Sequence, residues 1–437
     1  MGASKLVALI VVAAAFLAAA SSSEAKTNQF TLFEAPRELL SSDDALRAQT
    51  LDEIQGMGVT HLRVVIIWRK ADADGWTAYD RAINEAHARG LKLLVTISGP
   101  VPKWASANGK SYTYKPSPSK FQDFVTAVGN RYRDQVSMWS IWNEPNHPGF
   151  LTPQYAGRKG HRYAYSPKLY RSLFLAGDRG LRASGNGSDT LLIGETEPRG
   201  TTKAVPPLQF LRGLFAAPGK LPADGYAHHA YTTGAGPTFI PSNRDDVTIG
   251  VLSRLTRALD SYARRGRIRS KLPVYLTEFG IQSEPDPYIG VSYQRQAEYR
   301  SISEWYAWKN PRIVAFSQYL MRDDNPRSGS TYARYSGFES GLRGSSGKAK
   351  LAYEGFRLPL VADARGKRVY FWGYIRPKRS RTQVVIQIRK KGAKHWVKLK
   401  TVTTNSAAYW RCITSLRSGA QYRVQWGGYT GPATRAY

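Results

Sequence analysis

One cysteine, Cys412, stands in 437 residues, so no disulfide closes within the chain. Zinc or iron–sulfur sites built on several thiolates are excluded with it. Stability must come from burial of apolar surface. Acidic residues are also scarce: 32 Asp and Glu face 63 Lys and Arg, a formal net charge of +31. The basic residues are spread over the whole length, and no helix-turn-helix, zinc-finger or RNA-binding signature accompanies them, which argues against a specific nucleic-acid ligand. The charge suits an anionic polysaccharide or cell-wall polymer as a partner. Long apolar runs are missing after the first one. Leu6–Ala20 covers 15 residues, short of the roughly 20 that span a bilayer. With Lys5 before it and Ser23 and Ala25 behind it, this run reads as a secretory signal peptide over residues 1–25. The mature chain is expected to be secreted, without a membrane span and as a monomer.

Aromatic residues are plentiful, 12% of the chain with 11 Trp, enough for a large core and for rings in a surface cleft. Strand-like apolar runs begin near Asn28, Leu62, Leu91, Val136, Thr190, Tyr226, Pro273 and Ile313. Segments with helical spacing separate them, such as Asp43–Gly56 and Val247–Arg264. Near-continuous apolar strands fit a parallel sheet buried on both faces. No Gly-rich nucleotide turn follows the first strand, so a (β/α)8 TIM barrel is expected over residues 26–361. Beyond it the pattern changes to period-two alternation in 368–375, 382–389, 396–403 and 420–426, broken by Pro377, Gly392, Asn405 and Gly419. This predicts a small all-β sandwich over residues 362–437, packed on the barrel.

Catalytic groups of a parallel barrel sit at the carboxyl ends of its strands. Carboxylates occur there in Asn143-Glu144, in Glu195-Thr196-Glu197, in Thr277-Glu278 and at Asp323-Asp324. Glycoside hydrolysis needs two carboxyl groups of different protonation, one donating a proton to the leaving oxygen, the other attacking or activating water. Strands four and seven place Glu144 and Glu278 across the barrel mouth from each other. Glu195 and Glu197 are expected in loop structure or substrate contact, and Asp323 and Asp324 in pairs with Arg322 and Arg327. His228 and His229 are adjacent on a strand and point to opposite faces, so no shared metal site is expected, and the reaction needs no cofactor. Trp68, Trp104, Tyr112, Tyr114 and Tyr155 follow strands two to four, where their faces are candidates for stacking on sugar rings.

Trp142-Asn143-Glu144-Pro145 and Tyr275-Leu276-Thr277-Glu278-Phe279-Gly280, with Arg63 and His229-Ala230-Tyr231, make the chain resemble the clan of retaining (β/α)8 glycoside hydrolases that contains families 5 and 39. The resemblance extends over about 330 residues. It implies Glu144 as acid/base, Glu278 as nucleophile and Asn143 as partner of the hydroxyl beside the anomeric carbon. Arg63 and Tyr231 would hold and ionise the nucleophile, and His229 would line the same wall. Many clan members carry a tryptophan floor on strand eight. Here the segment is Ser317-Gln318-Tyr319, and Tyr319 is the ring available. The activity implied is retaining hydrolysis of an oligo- or polysaccharide, with the carboxyl groups about 5–5.5 Å apart. A non-catalytic envelope-polysaccharide binder and a transglycosylase remain the alternatives.

Overall fold

The computed structural model describes residues 29–158 and 160–437. The signal-peptide expectation for residues 1–25 lies outside them. Eight parallel strands close into a barrel: β1 (Phe30–Glu34), β2 (His61–Ile67), β3 (Lys92–Ser98), β4 (Met138–Ile141), β5 (Thr190–Thr196), β6 (Gly225–His229), β7 (Val274–Glu278) and β8 (Ile313–Tyr319). Each strand pairs with its neighbours in sequence, and β8 closes on β1. The intervening helices are α1 (Asp44–Gly56), α2 (Thr77–Ala88), α3 (Pro118–Arg131), α4 (Ser166–Ala183), α5 (Pro207–Leu214), α6 (Leu252–Arg264) and α7 (Tyr293–Lys309), with α8 (Leu351–Arg357) after β8. Their starts are written in the sequence. Asp43, Ser117 and Ser292 accept hydrogen bonds from the backbone N–H of Leu46, Lys120 and Arg295, satisfying first-turn donors that lack a helical partner.

The barrel interior is stacked by chemistry. Leu32, Leu94, Met138, Leu192, Ala227 and Ala315 form an apolar floor. One step toward the carboxyl ends, the inward positions become Arg63, Thr96, Ser140, His229, Thr277 and Ser317, all buried. Period-two alternation puts residues two apart on one face, so Leu94 and Thr96, or Met138 and Ser140, belong to successive layers. The outward faces of the strands join the helices in a single large core that includes Trp139, Ile141 and Trp142.

The chain leaves the barrel at Leu358-Pro359. The last helix, α8, ends at Arg357, and Leu360–Arg365 is already a strand (β9) of the second module. The module boundary thus precedes residue 362. β9 pairs with β10 (Arg368–Tyr374), and β10 with β13 (Tyr409–Ser415), forming one sheet. β11 (Gln383–Arg389), β12 (Val397–Thr403) and β14 (Gln421–Trp426) form the core of the other. β9 and β13 carried no clear alternation signal. Val369, Phe371, Ile386, Ile388, Tyr422 and Val424 fill the space between the sheets.

The module packs on α7, whose Ile302, Trp305 and Trp308 belong to the module's own core. A buried arginine pins the junction. Arg376 bonds the Phe356 carbonyl and the Glu304 carboxylate, and its Nε donates to Thr31 Oγ1 at 3.2 Å. Glu304 also accepts from Arg300 at 2.9 Å. Gly58, at φ +78°, approaches so near that a Cβ there would lie 1.8 Å from the Arg376 carbonyl oxygen. Removing one member of a buried pair leaves the other charge uncompensated, at a cost of roughly 3–5 kcal/mol. Arg376→Ala is therefore expected to lower unfolding stability by about that amount in chemical denaturation. An unchanged midpoint would refute the pinning role.

Candidate active site

The carboxyl ends of the strands converge on Arg63, which rises from β2 into the polar layer. Its Nε donates to Thr96 Oγ1 at 2.9 Å, and Nη2 to Asn143 Oδ1 at 2.7 Å. Nη1 meets Glu34 Oε2 at 2.6 Å and Glu278 Oε1 at 2.5 Å. Tyr231 donates to the other oxygen of Glu278 at 3.1 Å. Both Glu278 oxygens are thus held from below and from the β6 side.

Glu144 is presented differently. It follows β4 with φ +41°, and Trp142 two residues earlier has φ +72°, both in the left-handed region that non-glycine residues seldom enter. Neighbouring strands hold the backbone there, since the Trp142 N–H donates to the Ile97 carbonyl and the Glu144 N–H to that of Glu195. Its Oε1 faces His229 Nδ1 at 2.8 Å. A carboxylate oxygen of Glu144 and one of Glu278 lie within 4.8 Å of each other.

His229 is bracketed by acids, with Nε2 against Glu195 Oε2 at 2.8 Å. Glu195 itself is wholly buried and takes further bonds from Ser140 Oγ at 2.6 Å and Thr277 Oγ1 at 2.5 Å. Burial pushes the imidazole pKa down, but the charge of Glu278 and the bonds to Glu144 and Glu195 outweigh it, raising it to about 10. Burial opposes the charge of Glu195 too, yet Arg63 and His229 lower its pKa to about 2. Glu34, where burial prevails over Arg63, is raised to about 7. The spacing of Glu144, His229 and Glu278 would admit a cation. His229, however, has each ring nitrogen against a carboxylate oxygen and carries a proton on both when charged, so it offers no lone pair to a metal.

A cavity of about 680 Å³ opens above these groups, lined among others by Glu144, Glu278, Tyr231, Tyr319, Phe150 and Glu197. Tyr319 ends β8 and packs edge-on against Phe338 at 5.2 Å between ring centres. Glu197 carries a buried oxygen with no hydrogen-bond partner among the described residues, and burial together with the Glu144 charge raises its pKa to about 9.

The structure therefore brings together Arg63, Asn143, Glu144, His229, Tyr231, Glu278 and Tyr319. Trp68 is a correction. The chain turns into a short helix, Trp68–Asp74, straight after β2, and buries the ring against Phe124 at 4.9 Å, away from the cavity. Trp104, Tyr112, Tyr114 and Tyr155 do not line the cavity either. His228 points outward to Thr196 Oγ1 and the Val247 carbonyl, as the alternation requires. Asp323 is buried against Lys350 Nζ at 2.6 Å instead of pairing with a surface arginine. Glu34, at the end of β1, was missed among the strand-end carboxylates; it joins the network through Arg63, a contact that no local pattern signals. Glu195 turns inward although Leu192, three residues earlier, does so too, because the register of β5 with β6 shifts between Gly194 and Thr196 and Glu195 takes φ +49°, an irregularity that alternation does not predict; Glu197, two residues on, stands at the mouth.

No protein-family model and no curated protein matches the chain. Among solved structures, it is similar to a GH5_18 protein from Bifidobacterium longum subsp. infantis at 16% identity, over 75% of this chain and 77% of that one, with TM-score 0.52. It also matches the Penicillium canescens endo-1,4-beta-xylanase XylE at 15% identity, covering 76% and 93% of the two chains, with TM-score 0.49. Xylanase 10B from Thermotoga maritima matches at 14% identity over 76% and 94%, with TM-score 0.48. At these identities the likeness to the first of them is one of fold, the (β/α)8 barrel.

The bracketing of His229 has a pH signature. Its folded pKa lies above the ordinary value, so its contribution to stability is complete below about pH 6.5 and is lost as pH rises through about 10. In Glu195→Gln the burial of His229 is less opposed, and its pKa should fall by about one unit or more. Imidazole NMR titration reads this directly; a His229 that titrates alike in both proteins would refute the role of Glu195.

Proposed function

We propose that the chain is a secreted glycoside hydrolase that cleaves O-glycosidic bonds of an oligo- or polysaccharide with retention, through a covalent glycosyl-enzyme. The observation that carries this reading is the approach of a Glu144 oxygen to within 4.8 Å of a Glu278 oxygen. Inverting pairs are spaced at roughly 6.5–9.5 Å to admit a water between them, whereas retaining pairs stand at about 5–5.5 Å. The unequal settings of the two carboxyls agree with a division of labour. Glu278 is fixed at both oxygens by Arg63 and Tyr231, as an attacking atom must be if its line of approach is to be set in advance. Glu144 has one oxygen on His229 and the other without a protein partner among the described residues.

In the first step Glu278 forms a bond to the anomeric carbon while the glycosidic C–O bond breaks and Glu144 passes its proton to the departing oxygen. In the second, Glu144 takes a proton from water, whose oxygen displaces Glu278 and releases the sugar with its original configuration. Asn143, oriented by Arg63, is placed to meet the hydroxyl beside the reacting carbon. The leaving sugar lies on the side of its proton donor, where His147, Phe150 and Glu197 form the wall. With its pKa near 9, Glu197 is a neutral acid at pH 7 and a hydrogen-bond donor to a sugar hydroxyl. Tyr319 supplies the opposite floor. The N-terminal apolar run supports export, and the net charge of +31 favours a polymer that carries acidic groups.

Glu278→Ala should lower kcat by roughly 10⁴-fold or more on whichever substrate a polysaccharide and aryl-glycoside panel identifies. Glu144→Ala should cost about 10²–10⁴-fold, less on substrates whose leaving group needs no proton. NMR of the first-formed product gives the anomeric outcome. Inversion, or full turnover by Glu278→Ala, would overturn the proposal.

A further inference from the structure

A second cavity, of about 660 Å³, lies where the β module meets the barrel and shares no lining residue with the first. Its module wall is the outer face of β11 and β14. Ile386, Ile388, Tyr422 and Val424 point into the sandwich, so the alternate residues Gln387, Arg389, Gln421 and Arg423 point out. These four make a checkerboard. Arg389 lies opposite Gln421 and donates to its Oε1 at 3.1 Å, while Arg423 lies opposite Gln387 and donates at 2.7 Å. The two arginines are therefore diagonal neighbours of like charge on adjacent strands. Both guanidinium groups also pack on Trp396, at 5.0 and 4.4 Å from its ring centre.

Lys348 and Tyr293 enter from the barrel side, and Ser346 and Thr430 add hydroxyls. One carboxylate, Glu354, lines the cavity among the described residues, and it is engaged by Arg357 at 2.7 Å. No acid pairs with Arg389, Arg423 or Lys348 among the described residues, so three cations line one half-open cavity without compensation, while a fourth, Lys350, is paired with Asp323. Packing like charges together is unfavourable, and the charge of Arg389, after partial burial, lowers the Arg423 pKa. A solvated arginine face would need neither the wall opposite nor the shared indole. The volume falls in the range of about 300–1,000 Å³ typical of small-ligand pockets. It suits a few sugar units and excludes a nucleic-acid duplex.

We propose that this interdomain cavity is a binding site for a short anionic stretch of polysaccharide, whose carboxylate or sulfate groups meet Arg389, Arg423 and Lys348 while its hydroxyls meet Ser346, Thr430 and Tyr293. The saccharide half of the assignment rests on the function proposed above; the anionic half stands on the cavity alone. Such a site holds the polymer to the enzyme independently of the catalytic cleft.

The test is calorimetric binding to full-length Glu278→Ala protein, which keeps any bound sugar intact. The probes are a tetrasaccharide of galacturonate, a sulfated disaccharide, a neutral cello-oligosaccharide, inorganic sulfate and a ten-nucleotide single-stranded DNA. The expected result is that one or both anionic saccharides bind, more tightly than sulfate or the neutral sugar. That affinity should fall at least tenfold in Arg423→Gln and in Lys348→Ala, the latter changing an exposed side chain with no hydrogen bond or ion pair among the described residues. Unchanged affinity in both variants, equal binding of the neutral sugar or of sulfate, or tighter binding of the DNA would each overturn the proposal. Absence of turnover by the unmutated protein would defeat the hydrolase reading while leaving these binding results to stand or fall by themselves.

Discussion

The mouth of the barrel depends on one buried guanidinium. Arg63 is 1% exposed, and a charge so far from water is tolerable only if it is paired and fully hydrogen-bonded. Glu34, Glu195 and Glu278 supply the opposing charge, and Thr96 and Asn143 take up remaining N–H groups. The planar fork matters as much as the charge. It fixes the directions of Glu278 and Asn143 together, which the single ammonium of a lysine does not do. Moving Arg63 would thus displace the Glu278 carboxylate and the Asn143 amide at once. His229 extends the alternation of sign, since it places a positive ring between Glu144 and Glu195.

Glu144 is governed by its neighbours more than by its own strand. β4 ends at Ile141, three residues before it, and the intervening turn takes left-handed backbone at Trp142 and Glu144. Such conformations persist where the surroundings over-determine them. Here β3 and β5 provide the backbone acceptors, and Asn143 N–H is held by Ser98 Oγ at 2.9 Å. Pro145 then ends any tendency to continue as a strand.

The barrel was legible in the sequence because each of its strands is buried on both sides and so is apolar along most of its length. The helices were legible through the helical spacing of their apolar residues. Glu144 and Glu278 stood out as carboxylates where apolar runs stop. The rest depended on information that no local pattern carries. Whether Glu195 was loop or network could be told only once β5 stood beside Arg63 and His229. Trp68 was misplaced because the sequence signals an aromatic after a strand but not the immediate helical turn that buries it. β9 and β13 escaped notice because their burial is set by contact with α7 and with β10, leaving only irregular alternation in the residues themselves.

The junction formed by Arg376 bears on how the chain can be divided. Trp305 and Trp308 belong to a barrel helix by sequence but to the module's core by packing. Cutting after Pro359 would uncover both rings and strand Glu304 opposite Arg300 with its second cation gone. The converse piece would lose the helix that closes its own sandwich. The two architectures are therefore halves of one cooperative folding unit rather than interchangeable cassettes, and the barrel is not a fragment that can be borrowed without its companion.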